Sequence, residues 1–256
     1  MAPSPQGARP KALVLYDETN DFVTTNPASQ NPLATIWLIK FPTHSEHKSV
    51  CLLGLLYADM AKQARLNMPA HHYFDIDKKY TAFGVKRFDR VDNKHVHIHT
   101  LSGLLDIDFR IPSLDYLRCV RMLTQSQVAV EEGFRHVAFN VIFNNKDDHS
   151  KNFSFMIDKA GRWSLSSVYD IAYNSGMKGY HQMDVACEAR HSNLLHLLKL
   201  AKLADIKQNK AQAIIDQAVS VAKDFLMVIN NYDIEKELLN QVIHDIKANI
   251  NRMVNR

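Results

Sequence analysis

The apolar positions follow two different patterns along the chain. Up to residue 88 they come in short runs. Residues 12–16 form a brief apolar stretch, and residues 34–41 (ATIWLIKF) form a second, rich in types that favour strands. Residues 72–76 and 80–88 read as two further strands, with Asp77, Lys78 and Lys79 turning between them. Between these pairs, Leu52, Leu53, Leu56 and Met60 recur at helical spacing and predict a helix over 49–65. Beyond Asp89 the pattern becomes helical. Helices are predicted over 114–123, over 126–143 from a capping Ser126, and over 194–203, 211–229 and 234–253. One strand–turn–strand unit interrupts them: FSFMI, then DKAG, then RWSL. The expected fold class is therefore α+β with two lobes: a small mixed lobe over 1–88 and a larger, mainly helical lobe over 89–256.

Composition narrows this only a little. The 256 residues are 46% hydrophobic and 23% charged, within the range of globular proteins. A net charge of +4 is too small to imply nucleic-acid binding. Cys51, Cys119 and Cys187 lie far apart, without CxxC pairing or metal-ligand spacing, which fits buried thiols in a reducing compartment. The first residues carry no apolar run of signal-peptide length, and no stretch approaches a membrane span. A cytoplasmic location is expected, without membrane contact; export by a route lacking a cleavable signal stays open.

The chemistry concentrates in Asn145-Lys146-Asp147-Asp148-His149-Ser150-Lys151-Asn152, a segment too polar for a regular element. Phosphoryl transfer from ATP needs a carboxylate that orients the attacking hydroxyl, oxygen ligands for magnesium and a lysine on the nucleotide phosphates. Asp147 precedes Asn152 by five residues, the Asp-to-Asn offset of protein-kinase catalytic loops. Asp170 follows the two predicted strands, which can return it to the same cleft. The bland account is a solvated loop in which Asp148 caps a turn and His149 and Lys151 make local ion pairs.

Longer stretches carry a family resemblance. The pattern N-x-D-D-H-x-K-N-F-S, followed by W-x-L and Y-D-I, resembles the catalytic and metal-binding segments of the HipA-like serine/threonine kinases. Val85-Lys86-Arg87-Phe88-Asp89-Arg90 is similar to their hinge, and residues 99–105 (HTLSGLL) to the stretch that follows it. Ile39-Lys40-Phe41-Pro42 resembles their strand-lysine motif, and residues 4–11 (SPQGARPK) their phosphate loop. The matches occur in family order from residue 4 to about residue 200.

The resemblance implies Asp147 as general base, and Asn152 and Asp170 as magnesium ligands. It places Lys40 on the nucleotide phosphates, the backbone around Lys86 and Phe88 on the adenine, and Asp89 near the ribose. The loop at Gly7 would cover the triphosphate, and His149 and Lys151 would shape the catalytic loop or assist transfer. Ser4 is the expected autophosphorylation site, where added charge beside the nucleotide phosphates would switch the enzyme off. The implied cofactors are ATP and Mg2+. The implied partners are a protein substrate, an aminoacyl-tRNA synthetase among the family's described targets, and a HipB-like antitoxin through which any DNA contact is indirect.

Relatives of ordinary length carry a subdomain ahead of the phosphate loop. The resemblance is therefore nearest the short HipT kinase of HipBST toxin–antitoxin systems, whose missing subdomain is a separate HipS-like protein. Two departures matter. The phosphate loop has one glycine between two prolines, and Gly54 stands where relatives place a glutamate partner for the strand lysine, with Glu46 an alternative partner. Three readings stay open: an active kinase acting as a toxin or effector, a weakened pseudokinase that binds nucleotide or a partner, and a metal-dependent phosphohydrolase using Asp147, Asp148, His149 and Asp170.

Overall fold

In strand β3 (Thr35–Lys40) the side chains alternate: Trp37 and Ile39 are buried, while Ile36, Leu38 and Lys40 take the opposite face. That alternation sets the register of an antiparallel sheet in the order β2-β1-β3-β5-β4, with β1 (Lys11–Asp17), β2 (Phe22–Thr24), β4 (His71–Asp75) and β5 (Thr81–Lys86). Lys40 pairs with Lys11 on one side and Phe83 on the other. Val14, Tyr16, Trp37, Ile39 and Ala82 form the core beneath it, with Tyr16 edge-on to Trp37 at 5.0 Å between ring centroids.

The computed structural model describes residues 9–26, 31–77, 79–91, 94–107 and 110–254. The chain divides into two compact units, Met1–Leu56 with Pro69–Val96, and Tyr57–Met68 with His97–Arg256. The first holds the five-stranded sheet and a small ribbon of β6 (Arg90–Val91) and β7 (Lys94–His95). Helix α1 (Ser49–Gln63) contributes its first half to this unit and its second half to the other.

The second unit is mainly helical. After β8 (His97–Thr100) come α2 (Leu101–Leu105), capped by the Thr100 hydroxyl on the Gly103 amide, α3 (Ser113–Thr124) and α4 (Gln127–Ile142). Ser126 caps α4 through the Ala129 amide, as its side-chain chemistry dictates. Strands β9 (Ser154–Ile157) and β10 (Trp163–Leu165) form the expected hairpin, and β8 adds to its other edge. Helices α5 (Leu194–Leu203), α6 (Gln208–Val228) and α7 (Lys236–Val254) complete the unit.

Helix α4 runs through the core of this unit, burying Phe134, Val137, Ala138, Phe139, Val141 and Ile142. A helix apolar on most of its circumference can only be satisfied inside a bundle. Its last turn is fixed by the Tyr57 hydroxyl, which donates to the Phe143 carbonyl at 2.7 Å, and by Phe143 stacked on Phe139 at 4.2 Å. Residues 145–152 thus leave from a well-packed base. Among the described residues, no helix is long and apolar enough to cross a membrane.

Candidate active site

The loop begins where α4 ends. Asn144 adopts a left-handed φ of 56°, a conformation asparagine tolerates better than most residues. Its side chain is held from α7: Asn249 Nδ2 donates to Asn144 Oδ1 at 3.2 Å, and Asn144 Nδ2 donates to Asp245 Oδ2 at 3.3 Å. Asp245 also accepts from the Tyr173 hydroxyl at 2.7 Å. Burial and the Asp245 carboxylate together push the Tyr173 phenol well above its ordinary pKa, so it stays a donor. Asn145 pairs in parallel with Asn174, and Lys146 reaches the Gly179 carbonyl at 2.9 Å.

Beyond this base the chain separates two neighbouring aspartates. The Asp147 side chain is 53% exposed, whereas that of Asp148 is 6% exposed. Both Asp148 oxygens are engaged: the His181 Nδ1–H donates to Oδ2 at 2.8 Å and the Gln182 amide to Oδ1 at 2.8 Å. Asp148 therefore does more than cap a turn within its own loop, because it anchors the segment 181–182. Asp147, by contrast, faces outward with His149 Nε2 at 3.6 Å from its Oδ1.

Ser150–Asn152 forms a single 3-10 turn that buries Asn152. Its Nδ2 donates to the Asp147 backbone carbonyl at 2.7 Å, which fixes the amide plane and leaves Oδ1 as the end able to meet a cation. Lys151 is exposed, and its carbonyl accepts from the Tyr169 hydroxyl at 2.8 Å. Since that hydroxyl spends its proton on Lys151, the Ser154 hydroxyl must donate to Tyr169. Asp170, next in sequence, is half-buried with a left-handed φ of 56°. Asn152 and Asp170 offer an amide oxygen and a carboxylate, the hard donors that suit magnesium. Among the described residues no group of three or more His, Cys, Asp or Glu is placed to hold a metal. The hydrogen bonds on both Asp148 oxygens set it apart from the exposed Asp147.

The remaining candidates belong to the sheet unit. Lys40 is half-buried at the end of β3. The Lys86 amide already donates to the Ala70 carbonyl at 2.8 Å, and the Arg87 amide to Ile36 at 2.9 Å. Lys86 Nζ lies 3.3 Å from Glu18, and Phe88 is half-buried. Asp89 is buried; Arg87 Nε and Arg90 Nη1 donate to its two oxygens, each at 2.6 Å. Burial alone would raise its pKa, but the hydrogen bond and charge of Arg87, with the charge of Arg90, outweigh it and hold the carboxyl below its usual range. Ser4 and Gly7 lie outside the described residues.

The possible glutamate partners of Lys40 are also resolved. Glu46 is gripped by Arg9, with Nε and Nη2 at 2.9 and 2.6 Å from Oε1, and accepts the Thr43 amide. At Gly54, an added Cβ would stand 3.2 Å from the Phe83 ring. A side chain there requires Phe83 to move.

Several residues that shape the loop, His181, Asp245 and Asn249 among them, give no local sign of it in the sequence. Tyr169 gave a partial one, since it precedes the aspartate of Y-D-I.

Comparison with known proteins bears on the family and the fold. The profile of the family described as HipA-like C-terminal domain matches residues 3–225. A curated protein called putative kinase Y4dM, from Sinorhizobium fredii, is 24% identical over 150 residues, which are 53% of this chain and 36% of that one. The chain thus spans about a third of that relative's length. Among solved structures, HipA of Shewanella oneidensis MR-1, in complex with HipB and its operator DNA, superposes with a TM-score of 0.74 at 16% identity, covering 99% of this chain and 66% of that one. The proinflammatory kinase CtkA of Helicobacter pylori gives 0.54 at 10% identity, covering 86% and 88%. These likenesses establish a kinase-like α+β fold.

Proposed function

The chain belongs to the family of HipA-like C-terminal domains, and from that premise we propose that it is an ATP- and magnesium-dependent serine/threonine protein kinase of HipA or HipT type. The observation that carries the reading is the pairing of an exposed Asp147 with a buried Asn152 whose amide holds the Asp147 carbonyl. That hydrogen bond fixes the spacing between a base at the surface and a cation ligand beneath it. In this reading Asp147 accepts the proton of the substrate hydroxyl, with His149 beside it and Lys151 at the loop's edge. Lys40 and the phosphate loop at Gly7 bind the triphosphate, and the hinge at Lys86, Phe88 and Asp89 takes the nucleoside. With its carboxylate held by two arginines, Asp89 serves there by stiffening the hinge. Asn152 and Asp170 hold magnesium, which when bound neutralises charge on the phosphates.

The finer parts of the reading are a protein substrate such as an aminoacyl-tRNA synthetase, autophosphorylation at Ser4, control by a HipB-like antitoxin with only indirect DNA contact, a HipS-like partner and a cytoplasmic setting. HipA in the Shewanella complex assembles with HipB and DNA, which supports a role in a toxin–antitoxin system. The division into a kinase lobe over 1–88 and a helical lobe over 89–256 belongs to the same proposal.

A second reading, a weakened pseudokinase that binds nucleotide or a partner, has one observation in its favour. The helix position expected to hold a glutamate is Gly54, packed on Phe83, and Glu46 is gripped by Arg9.

Incubation with labelled ATP and magnesium separates the two. Incorporation by the wild type, falling about a thousandfold in Asp147→Ala, is expected of the kinase. Equal incorporation by both proteins removes Asp147 from its role, and none by either supports the pseudokinase.

A further inference from the structure

The helical unit contains an open pocket of about 460 Å³ that the proposed chemistry does not use. Arg110, Lys178 and Asp184 are the charged groups of its lining, and Ile111, Pro112 and Met177 form an apolar wall. The Asp184 carboxylate is turned onto its own loop, where Oδ1 accepts the Cys187 amide at 2.8 Å. Arg110 is fixed at the rim by Nε donating to Gln182 Oε1 at 3.0 Å.

Further positive charge surrounds the wall. Arg190 lies over the Tyr180 ring at 5.5 Å, and Lys146 Nζ caps the Gly179 carbonyl. The rim is a glycine-built turn: Gly176 and Gly179 have φ of 71° and 82°, and a Cβ on Gly176 would strike the Tyr180 carbonyl. Only glycine fits at position 176, and the turn that follows carries Lys178 and Tyr180, both of which line the pocket.

The pocket is mechanically joined to the catalytic loop. Two of its lining residues, His181 and Gln182, are the ones that hold both oxygens of Asp148, the residue next to Asp147. A group seated among Arg110, Lys178 and Gln182 is thus one hydrogen bond and one residue away from the proposed base.

We infer that this pocket receives an acidic side chain, carboxylate or phosphoryl, of the protein substrate near the hydroxyl that Asp147 activates. The inference rests on the kinase reading for the word substrate, but the binding it describes does not. Arginine and lysine together suit a carboxylate or phosphate oxygen set, while Ile111, Pro112 and Met177 suit the flanking peptide. Two lining cations beside an apolar wall, with Lys146 spent on the Gly179 carbonyl and Arg190 on the Tyr180 ring, do not make the continuous basic stripe that tracks a nucleic-acid backbone.

The test uses the full chain and its Arg110→Glu/Lys178→Glu variant, checked for folding by circular dichroism. Fluorescein-labelled serine-centred peptides flanked by aspartate, phosphoserine or lysine are titrated by anisotropy. The aspartate or phosphoserine peptide is expected to bind the wild type about tenfold more tightly than the lysine peptide. The gap should narrow in about 0.5 M salt, because rim charges are screened. In the double variant the preference should reverse. Equal binding of acidic and lysine peptides, or an unchanged preference in the variant, would overturn the inference. So would a short single-stranded DNA that binds more tightly than either acidic peptide and is lost in the variant. Label incorporation from ATP is measured alongside. A chain that transfers phosphate without acidic preference loses only the pocket, and one that binds acidic peptides but transfers nothing loses only the kinase reading.

Discussion

The Tyr169 hydroxyl donates to the backbone carbonyl of Lys151 at 2.8 Å, and so bolts the segment carrying Asp170 onto the turn carrying Asn152. The two proposed metal ligands come from stretches separated by a hairpin, and this bond limits how far they can drift apart. Tyr169→Phe removes the bond and leaves the Lys151 carbonyl and the Ser154 hydroxyl to find water. A loss of about 1 kcal/mol in urea unfolding is expected, together with a higher magnesium concentration for half-maximal label incorporation. An unchanged magnesium titration would show that the bolt is dispensable.

Asp148 is the loop's second anchor. Asp148→Ala strips a partner from the buried His181 ring and from the Gln182 amide, at a cost of about 3 kcal/mol. Hydrogen exchange should quicken at residues 180–184 as well as in the loop itself. If exchange quickens only at 147–149, the two segments are not coupled as the geometry requires.

His136 makes the helical unit acid-sensitive. It is buried on α4 with its ring 4.5 Å from that of Phe153. Burial disfavours its charged form and lowers its pKa from 6.5 to about 4, despite the opposing field of Asp148. Between those values the unfolded chain binds a proton that the native chain refuses, so stability is complete above pH 6.5 and declines as pH falls. Roughly 3 kcal/mol should be lost by pH 4 on this account. Urea midpoints measured from pH 7.5 to 4.5 should fall more steeply in the wild type than in His136→Gln. Parallel slopes would dismiss this residue as the cause.

Gly54 tests the crowding under β5. Gly54→Ala gains up to about 1 kcal/mol of helix propensity but sets its Cβ against Phe83, so a net change near zero is expected. With Phe83→Leu as background, the same substitution should become stabilising by about 1 kcal/mol. Gly54→Glu in the wild-type background should destabilise by about 2 kcal/mol or more. Additive effects in the double-mutant cycle would mean that the ring and the glycine do not compete for space.

The long periodic elements were readable from the sequence because one residue pattern decides them. Helix α5 falls at the expected 194–203, α3 and α4 within a residue of expectation, and β1, β3, β4 and β5 within two. The short pieces were not. Strands β6 and β7 hold two residues each, too few for alternation to register, and β8 (His-Ile-His-Thr) is a strand because β9 pairs with it 54 to 60 residues later. The same limit applied to the site. Asp147 and Asn152 share one loop and carry a spacing that can be recognised, whereas His181, Asp245 and Asn249 act through tertiary contacts. For Asp147 and Asp148, side by side in sequence, only the fold shows which is exposed and which is anchored.

The hold of α7 on Asn144 has a consequence for how the molecule comes into being. The bonds from Asn144 to Asp245 and Asn249 join positions 101 and 105 residues apart, and closures that long come late in folding. Helix α7 therefore works as a keystone for the loop that α4 and the β9–β10 hairpin frame. A single protease cut in the 229–235 connection, remote from Asp147 in sequence, is expected to let the keystone slip and silence the protein.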